Sequence, residues 1–151
     1  MRRGGWLLLA LAAAPAQAQQ VFVAPAAIAA DVAAGRVVVL DVGRPDSAWA
    51  RGHLPGARRL PFAAIVTTRD GIPNELPPVA QLDSVFESLG VGDETPVLLY
   101  GDMLASARAW VTLDLLGHRR AQLLDGGLSR WTAEGRPLST ADAAPPGAAR
   151  F

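Results

Sequence analysis

The sequence has 151 residues, half of them apolar, which is enough for one domain with a packed core. The formal charge is zero, all fourteen basic residues are arginines, and no basic block alternates with aromatic residues, so nucleic acid is not an expected partner. The absence of cysteine excludes disulfides, thiolate metal sites and cysteine nucleophiles from this chain.

The first 18 residues have the pattern of a secretory signal peptide. A positive Arg2-Arg3 pair precedes the apolar residues 6–14, and Ala16-Gln17-Ala18 supplies the small residues that a signal peptidase requires. The apolar run is shorter than the roughly 20 residues that span a bilayer. We therefore expect cleavage after residue 18, a periplasmic or secreted protein, and no membrane span after cleavage; an uncleaved amphipathic anchor is the alternative.

The rest of the chain alternates predicted strands with predicted helices about five times. Apolar runs predict strands at 21–23, 37–42, 58–60, 96–100 and 121–124. Helical spacing and glycine stops predict helices at 25–34, 46–49, 79–89, 106–116 and 128–134. This order is typical of an α/β domain, over residues 19–140, with a mostly parallel five-stranded sheet and helices on both faces.

Two segments lie outside this alternation. Residues 61–78 contain Gly71, Pro73 and Pro77-Pro78 and are predicted to form a long connection. Residues 141–151 are rich in alanine, proline and glycine and are predicted to be a disordered tail. We find no internal repeat and no second domain.

The candidate functional site is the segment from Pro96 to Trp110, where a buried strand, a tight loop and a helix follow one another. Such a turn directs backbone N–H groups and a helix N-terminus at one point, which suits an anion or a negatively charged nucleophile. Ser106 is a natural N-cap for the helix. The predicted loop consists of Gly101, Asp102, Met103, Leu104, Ala105 and Ser106.

Asp102 is expected to weaken anion binding at this loop. A second negative charge a few Å from a bound anion costs on the order of 1–4 kcal/mol. This cost is larger than the about 0.3–1 kcal/mol that a helix terminus supplies. Hydrogen bonds from the loop N–H groups to the Asp102 carboxylate would instead satisfy the site from within.

Three further residues are expected to support the edge of the sheet near this loop: Asp41, Arg44 and His53. Asp41 ends a buried strand, at the carboxyl edge where parallel sheets bind ligands, and is predicted to fix Arg44 or nearby backbone rather than to catalyse. His53 is predicted to hydrogen-bond the backbone of its turn. His118 follows Gly117, where a cation suits the end of a helix.

Neither histidine is predicted to be catalytic. No spacing supports a triad of Ser106, a histidine and an aspartate, and two isolated histidines do not have the spacing of metal ligands. We therefore expect neither a metal nor a cofactor.

Three blocks, in this order, resemble the rhodanese (sulfurtransferase) homology domain over about residues 21–140, in a single copy. The blocks are Val38-Val39-Leu40-Asp41-Val42 with Gly52-His53-Leu54-Pro55-Gly56-Ala57; Val97-Leu98-Leu99-Tyr100-Gly101 with Ser106-Ala107-Arg108-Ala109-Trp110; and Leu116-Gly117-His118 with Leu123-Leu124-Asp125-Gly126-Gly127 and Trp131. Residues 61–78 and the Ser106-Ala107-Arg108-Ala109-Trp110 stretch are more similar to the tandem thiosulfate sulfurtransferases than to the short single-domain type.

The resemblance implies a mechanism that this chain lacks the means to perform. In the family, a cysteine after the fourth strand takes up a sulfane sulfur as a persulfide and passes it to a nucleophile such as cyanide or a thiol. Counting back from Ser106 places that cysteine at Gly101, and a loop one residue shorter would place it at Asp102. In the tandem members, the domain without the cysteine resembles this chain, with an acidic residue in the same loop.

Three hypotheses about function follow from the resemblance. The first is an exported, non-catalytic domain that acts as a binding or partner module. The second is a component of a thiosulfate-type sulfurtransferase, working with a persulfide carried by another chain, so that a sulfur-carrying protein or a thiol is the partner. The third is a relic without activity. The oligomeric state is left open by the sequence.

Overall fold

A computed structural model describes residues 20–151, and the predicted signal peptide lies outside this range. The strands are Phe22–Val23 (β1), Val38–Val42 (β2), Arg58–Leu60 (β3), Thr67–Arg69 (β4), Ile72–Glu75 (β5), Val97–Gly101 (β6) and Ala121–Leu124 (β7). The helices are Pro25–Ala33 (α1), Asp46–Arg51 (α2), Val79–Ser88 (α3), Met103–Leu115 (α4) and Gly127–Ala133 (α5).

The main sheet has five strands, all parallel, in the order β1-β7-β6-β2-β3. Strands β2 and β6 are neighbours, and their register places Asp41 beside Tyr100 and Val42 beside Gly101. The carboxyl ends of the two central strands therefore meet at one edge of the sheet, where α/β proteins bind ligands. The predicted fold class is confirmed.

Both faces of the sheet are covered, because the strand sequences are apolar on both sides. Helices α3 and α4 contribute to the core on one face, through Leu82, Phe86, Ala105, Ala109 and Leu113. Helices α1 and α5 contribute to the core on the other face, through Ile28, Val32 and Trp131.

The long connection at residues 61–78 contains two elements that the sequence analysis did not predict. A turn of 3-10 helix spans Phe62–Ile65, and β4 and β5 form an antiparallel hairpin. The hairpin turns at Asp70 and Gly71, both with positive φ (53° and 78°). An Asp-Gly pair is a strong hairpin signal, but the flanking runs here are too polar to predict strands.

The segment predicted as a disordered tail, residues 141–151, has no helix, but it contacts the body of the domain. Just before it, Ser139 and His53 exchange backbone hydrogen bonds of 2.8 and 2.9 Å, and within it the carbonyl of Ala144 accepts a hydrogen bond of 3.1 Å from Arg58. At its end, the ring of Phe151 stacks on His118 and on Phe86, with centroids 5.7 and 5.6 Å apart. Composition does not predict these contacts. The stacking depends on a single aromatic side chain, Phe151, in a segment that is otherwise rich in alanine, proline and glycine.

Candidate functional site

The carboxyl edge of β2 and β6 opens into a cleft of about 530 Å³, which we call the carboxyl-edge cleft. Strand β2 leads into Gly43, strand β6 leads into Asp102, and the hairpin contributes Asn74. The lining residues are Gly43, Phe62, Asn74, Asp102, Leu104, Ala105 and Arg108. The structure thus places the predicted loop at the position where a ligand of an α/β sheet is expected.

The predicted loop from Gly101 to Ser106 is mostly helix. Asp102 is the N-cap of α4, its Oδ1 accepts a hydrogen bond of 2.9 Å from the N–H of Ala105, and the helix begins at Met103. The prediction that Ser106 caps the helix is therefore wrong. Aspartate is as good a cap as serine, and since Asp102 follows the strand directly, the helix begins one turn earlier.

Ser106 lies in the second turn of α4 and is buried. Its N–H donates to the carbonyl of Asp102 at 2.8 Å, and its Oγ has no hydrogen-bond partner among residues 20–151. Met103 and Leu104, in contrast, are 58% and 82% exposed in the first turn. The Asp102 carboxylate thus takes one N–H of the helix terminus, that of Ala105, from within, as the sequence predicts.

Gly101, the position matched to the family's cysteine, has a backbone conformation that excludes a side chain. Its φ is +128°, and a Cβ would lie 2.4 Å from the carbonyl oxygen of Val42 and 3.0 Å from Oδ1 of Asp41. Real Cβ atoms essentially never approach a backbone atom so closely. Strand β6 can end against β2 in this way only because residue 101 is glycine.

Asp41 and Arg44 form a buried ion pair behind the cleft, with 2.6 Å between Nη1 of Arg44 and Oδ2 of Asp41. Arg44 also donates to the carbonyls of Ala48 and Gly52, at 2.8 and 3.2 Å. This arrangement joins the end of β2 to α2 and to the turn that follows it. The prediction that Asp41 fixes Arg44 is confirmed.

Tyr100 is a member of the site that the sequence analysis treated only as part of a strand. Its hydroxyl accepts a hydrogen bond of 3.1 Å from the N–H of Leu54. Burial, and then the nearby Asp41 carboxylate, raise the pKa of the Tyr100 phenol far above its ordinary range. Tyr100 therefore stays protonated and connects β6 to the turn after α2, rather than acting as a base.

His53 is fully buried in the turn after α2 and does not line the carboxyl-edge cleft. Its Nδ1 lies 3.0 Å from the carbonyl oxygen of Leu54, and its ring stacks on Trp49 at a centroid distance of 3.7 Å. The predicted contact with the backbone of its turn is confirmed.

His118 differs from its prediction as a helix-end cation. It is 3% exposed, and its Nε2 lies 3.0 Å from the carbonyl oxygen of Thr95. Burial lowers its pKa, although the hydrogen bond to Thr95 acts in the opposite direction. The ring is therefore a neutral, buried hydrogen-bond donor near the start of β6.

Arg108 lies half-buried against the hairpin. Its Nη2 donates to the carbonyl of Asn74 at 2.6 Å, which connects α4 to β5 across the cleft. Its charge and that of Asp102 give the cleft one cation and one anion.

In the described part of the chain, residues 20–151, no three or more His, Cys, Asp or Glu side chains are grouped so that they could hold a metal ion. No helix within it has the length and apolar character needed to cross a bilayer.

The sheet has five parallel strands, is covered by helices on both faces, and carries a strand–cap–helix site at its carboxyl edge. These features place the chain among the α/β domains with a parallel sheet. Residues 24–134 match the family model "Rhodanese-like domain", and the chain belongs to this family.

Curated relatives include enzymes and a sulfur carrier. The thiosulfate sulfurtransferase of Azotobacter vinelandii is 35% identical over 126 residues, which are 82% of this chain and 46% of that protein. The sulfur carrier protein TtuD of Thermus thermophilus is 33% identical over 110 residues, 70% of this chain and 37% of that protein. This chain thus spans less than half the length of these relatives.

Solved structures confirm the fold. SseA from Escherichia coli, described as a 3-mercaptopyruvate sulfotransferase, has a TM-score of 0.74 at 21% identity and is matched over 87% of this chain and 56% of its own. The 3-mercaptopyruvate sulfurtransferase from Leishmania major has a TM-score of 0.75 at 23% identity, over 91% of this chain and 41% of its own.

Proposed function

We propose that this chain is an exported, non-catalytic rhodanese-like module that binds a sulfur-carrying protein or a thiol. The observation that carries the proposal is the position matched to the family's cysteine. Residue 101 is glycine, its backbone admits no Cβ, and the chain contains no cysteine elsewhere. A persulfide requires a thiolate, so this polypeptide has no atom on which one could form.

The helix terminus beside Gly101 supports the same proposal. A catalytic thiolate in this place would gain stability from the N–H groups of the first turn of α4. Here the Asp102 carboxylate takes the N–H of Ala105. The site is thus stabilised without a bound anion, and a sulfur oxyanion such as thiosulfate is not expected to bind tightly.

The partner class rests on the relatives and on the cleft. One relative is named a sulfur carrier protein and others are named sulfurtransferases. The carboxyl-edge cleft is large enough for a small thiol or for the tip of a protein loop, since small-molecule pockets begin at about 300 Å³. A thiol or persulfide donor bound there would face Arg108 and the apolar side chain of Phe62.

The test is a transfer assay with purified protein, thiosulfate as donor and cyanide as acceptor. We expect no thiocyanate above the buffer background and no sulfur adduct on the intact protein by mass spectrometry. The sulfurtransferase of Azotobacter vinelandii serves as the positive control. Turnover by the unmodified chain, or a covalently bound sulfur, would contradict the proposal.

A thiol variant makes the test sharper. Gly101→Cys is unsuitable because of the 2.4 Å approach to Val42, whereas residue 102 has an ordinary extended backbone (φ −68°) at the N-cap. Asp102→Cys places a thiolate at the start of α4, and Asp102→Ser is the matched variant that keeps a cap without the sulfur. Transfer by the cysteine variant alone would identify the missing thiol as the reason for inactivity.

Binding is measured separately, with glutathione persulfide and glutathione as probes in calorimetric titrations. We expect saturable binding that Phe62→Ala weakens and that the exposed-surface variant Arg36→Ala leaves unchanged. If neither probe binds, the small-thiol form of the proposal is wrong, and only the form with a protein partner is left.

A second candidate is a sulfurtransferase component that acts on a persulfide carried by another chain. The open carboxyl-edge cleft favours it, because a donor could still be positioned there. It predicts that this chain accelerates transfer to cyanide from a persulfidated cysteine protein, whereas the non-catalytic module leaves that rate unchanged.

Export is tested by expression of the full chain in a bacterium with an outer membrane, followed by fractionation. We expect a periplasmic product whose N-terminal residue is Gln19. Recovery with residues 1–18 attached would favour the uncleaved anchor.

A further inference from the structure

Helix α4 is apolar on both of its faces, although one face is exposed. The buried face packs on the sheet through Ala105, Ala109 and Leu113. The opposite face presents Leu104, Ala107, Val111 and Leu115, whose spacing of three, four and four residues places them on one side of a helix. We call these four residues the α4 stripe. An amphipathic surface helix normally presents polar residues on its solvent side, so an apolar stripe there is unusual.

The exposed apolar side chains of this protein are concentrated at the α4 stripe. Within residues 20–151, eight large apolar side chains are exposed, and four of them lie on α4, namely Met103, Leu104, Val111 and Leu115. Val79 is 61% exposed and shares a surface groove with Leu115. A concentration of this kind marks an interaction surface, whereas single exposed apolar residues need no explanation.

The size of this surface is suited to a small dimer. Five large side chains with exposures of 45–82% present on the order of 500 Å² of apolar area, at the upper end of what monomers expose. A standard interface buries about 800 Å² per partner, roughly 65% apolar in homodimers. The apolar area of the α4 stripe and its neighbours therefore matches the apolar core of one such interface.

The charges beside the α4 stripe are already engaged within the chain. Arg108 donates to the carbonyl of Asn74, and Asp114 is paired with Arg119. The four stripe residues carry no charge. Arg108 lies beside them over the carboxyl-edge cleft, and its charge is not neutralised by the Asn74 carbonyl, so the dimer must leave this guanidinium at its solvated rim.

The order of side chains along the α4 stripe is self-complementary. Leucines stand at both ends, and the two central positions are one small residue, Ala107, and one larger residue, Val111. When two copies of the helix run antiparallel about a two-fold axis near residue 109, each Leu104 lies opposite Leu115 of the other copy, and each Ala107 lies opposite Val111. Large residues then face small ones at the centre, as an isologous interface requires.

We propose that the α4 stripe is the interface of a two-fold symmetric homodimer in which the two α4 helices pack antiparallel. The occupant of the exposed face is thus a second copy of this chain. The α4 stripe borders the carboxyl-edge cleft, because Leu104 belongs to both. The proposal does not rest on the proposed function, since a dimer could form whether or not the cleft binds a thiol.

The first experiment measures the oligomeric state by sedimentation over a range of micromolar concentrations. We expect a monomer–dimer equilibrium, and Val111→Asp should raise the dissociation constant at least a hundredfold. Phe22→Asp, at a residue of similar exposure (47% against 45%) on strand β1, is the matched control and should leave the dimer unchanged. Circular dichroism and thermal unfolding verify that both variants are folded.

A monomer at every concentration, including a monomer that binds only a different protein, would overturn the proposal. So would a dimer that Val111→Asp leaves intact, because the contact would then lie on another surface.

The second experiment tests the antiparallel orientation. Because the sequence contains no cysteine, any disulfide must come from the introduced residues. Leu104→Cys and Leu115→Cys chains are prepared separately and oxidised alone or mixed. Eleven residues of helix span roughly 16 Å, so in an antiparallel pair like cysteines are too far apart for a disulfide, which needs Cα atoms within about 7 Å. Only the mixture should form cross-linked dimers, and cross-linking of either chain with itself would contradict the orientation.

Discussion

Nη1 of Arg44 donates to Oδ2 of Asp41 across 2.6 Å, with both side chains almost withdrawn from solvent. The same guanidinium reaches the carbonyls of Ala48 and Gly52. One side chain thereby joins the end of the central strand β2 to α2 and to the turn before β3. The pair acts as a structural brace behind the carboxyl-edge cleft, and its removal leaves an isolated buried charge.

Substitution of Arg44 by methionine should destabilise the protein strongly. The Asp41 carboxylate would stay buried without its cation, a change that typically costs about 3–5 kcal/mol. Arg59→Met, which removes the exposed pair with Asp46, should cost at most about 1 kcal/mol. Urea unfolding of the three proteins measures both differences, and equal losses for the two variants would argue against a special role for the buried pair.

Gly101→Ala should be among the most damaging single substitutions in this chain. A positive φ in a residue with a Cβ costs on the order of 1–3 kcal/mol, and a 2.4 Å contact with the Val42 carbonyl adds an overpacking cost of about 1–3 kcal/mol. Gly117 also has a positive φ (+92°), but nothing lies within 4 Å of a Cβ there. Gly117→Ala should therefore show the backbone cost alone, and thermal unfolding distinguishes the two variants.

Asp102→Ala should remove the N-cap of α4 and cost about 1 kcal/mol of unfolding free energy. Asp102→Asn keeps a cap oxygen for the N–H of Ala105 and should stay within a few tenths of a kcal/mol of the unmodified chain. Comparison of the unmodified chain with Asp102→Asn also isolates the effect of the charge on anion binding at the cleft, because only the carboxylate repels anions. If both variants lose equal stability, the charge rather than the cap hydrogen bond stabilises the helix.

His118 should make stability fall in mild acid. Burial lowers its pKa in the folded protein below the ordinary value of 6.5, so the unfolded chain binds the proton more readily. The contribution of His118 is therefore complete above about pH 6.5 and is lost progressively as the pH falls toward the folded-state pKa. His118→Gln should remove this part of the pH dependence. Urea midpoints from pH 7.5 down to pH 5 measure it, and parallel curves for the two proteins would contradict the prediction.

The main sheet could be predicted from the sequence because each of its central strands is an apolar run with a clear stop. Val38–Val42 and Val97–Gly101 are apolar toward both faces, which requires helices above and below. The hairpin at residues 67–75 could not be predicted in the same way. Its strands are polar and exposed, and their pairing depends on the backbone at Asp70 and Gly71 rather than on burial.

The site was predicted in its location but only partly in its geometry. The position of Asp102 and the pairing of Asp41 with Arg44 follow from local sequence. The start of α4 does not, because Asp102 and Ser106 are both good caps and only packing decides between them. The neutral state of His118 depends on Thr95 and Phe151, which are distant in sequence, and its burial is therefore invisible in the pattern around Gly117.

The close approach of β6 to β2 at Gly101 also limits how a thiol could arise there. Two of the four glycine codons become cysteine codons through a single nucleotide change, so the codon alone is a small obstacle. The carbonyl of Val42 now occupies the room that a new side chain would need. A thiol at this position would require the end of β6 to shift together with the residue change, so the backbone, and not only the residue type, keeps a nucleophile out of this place.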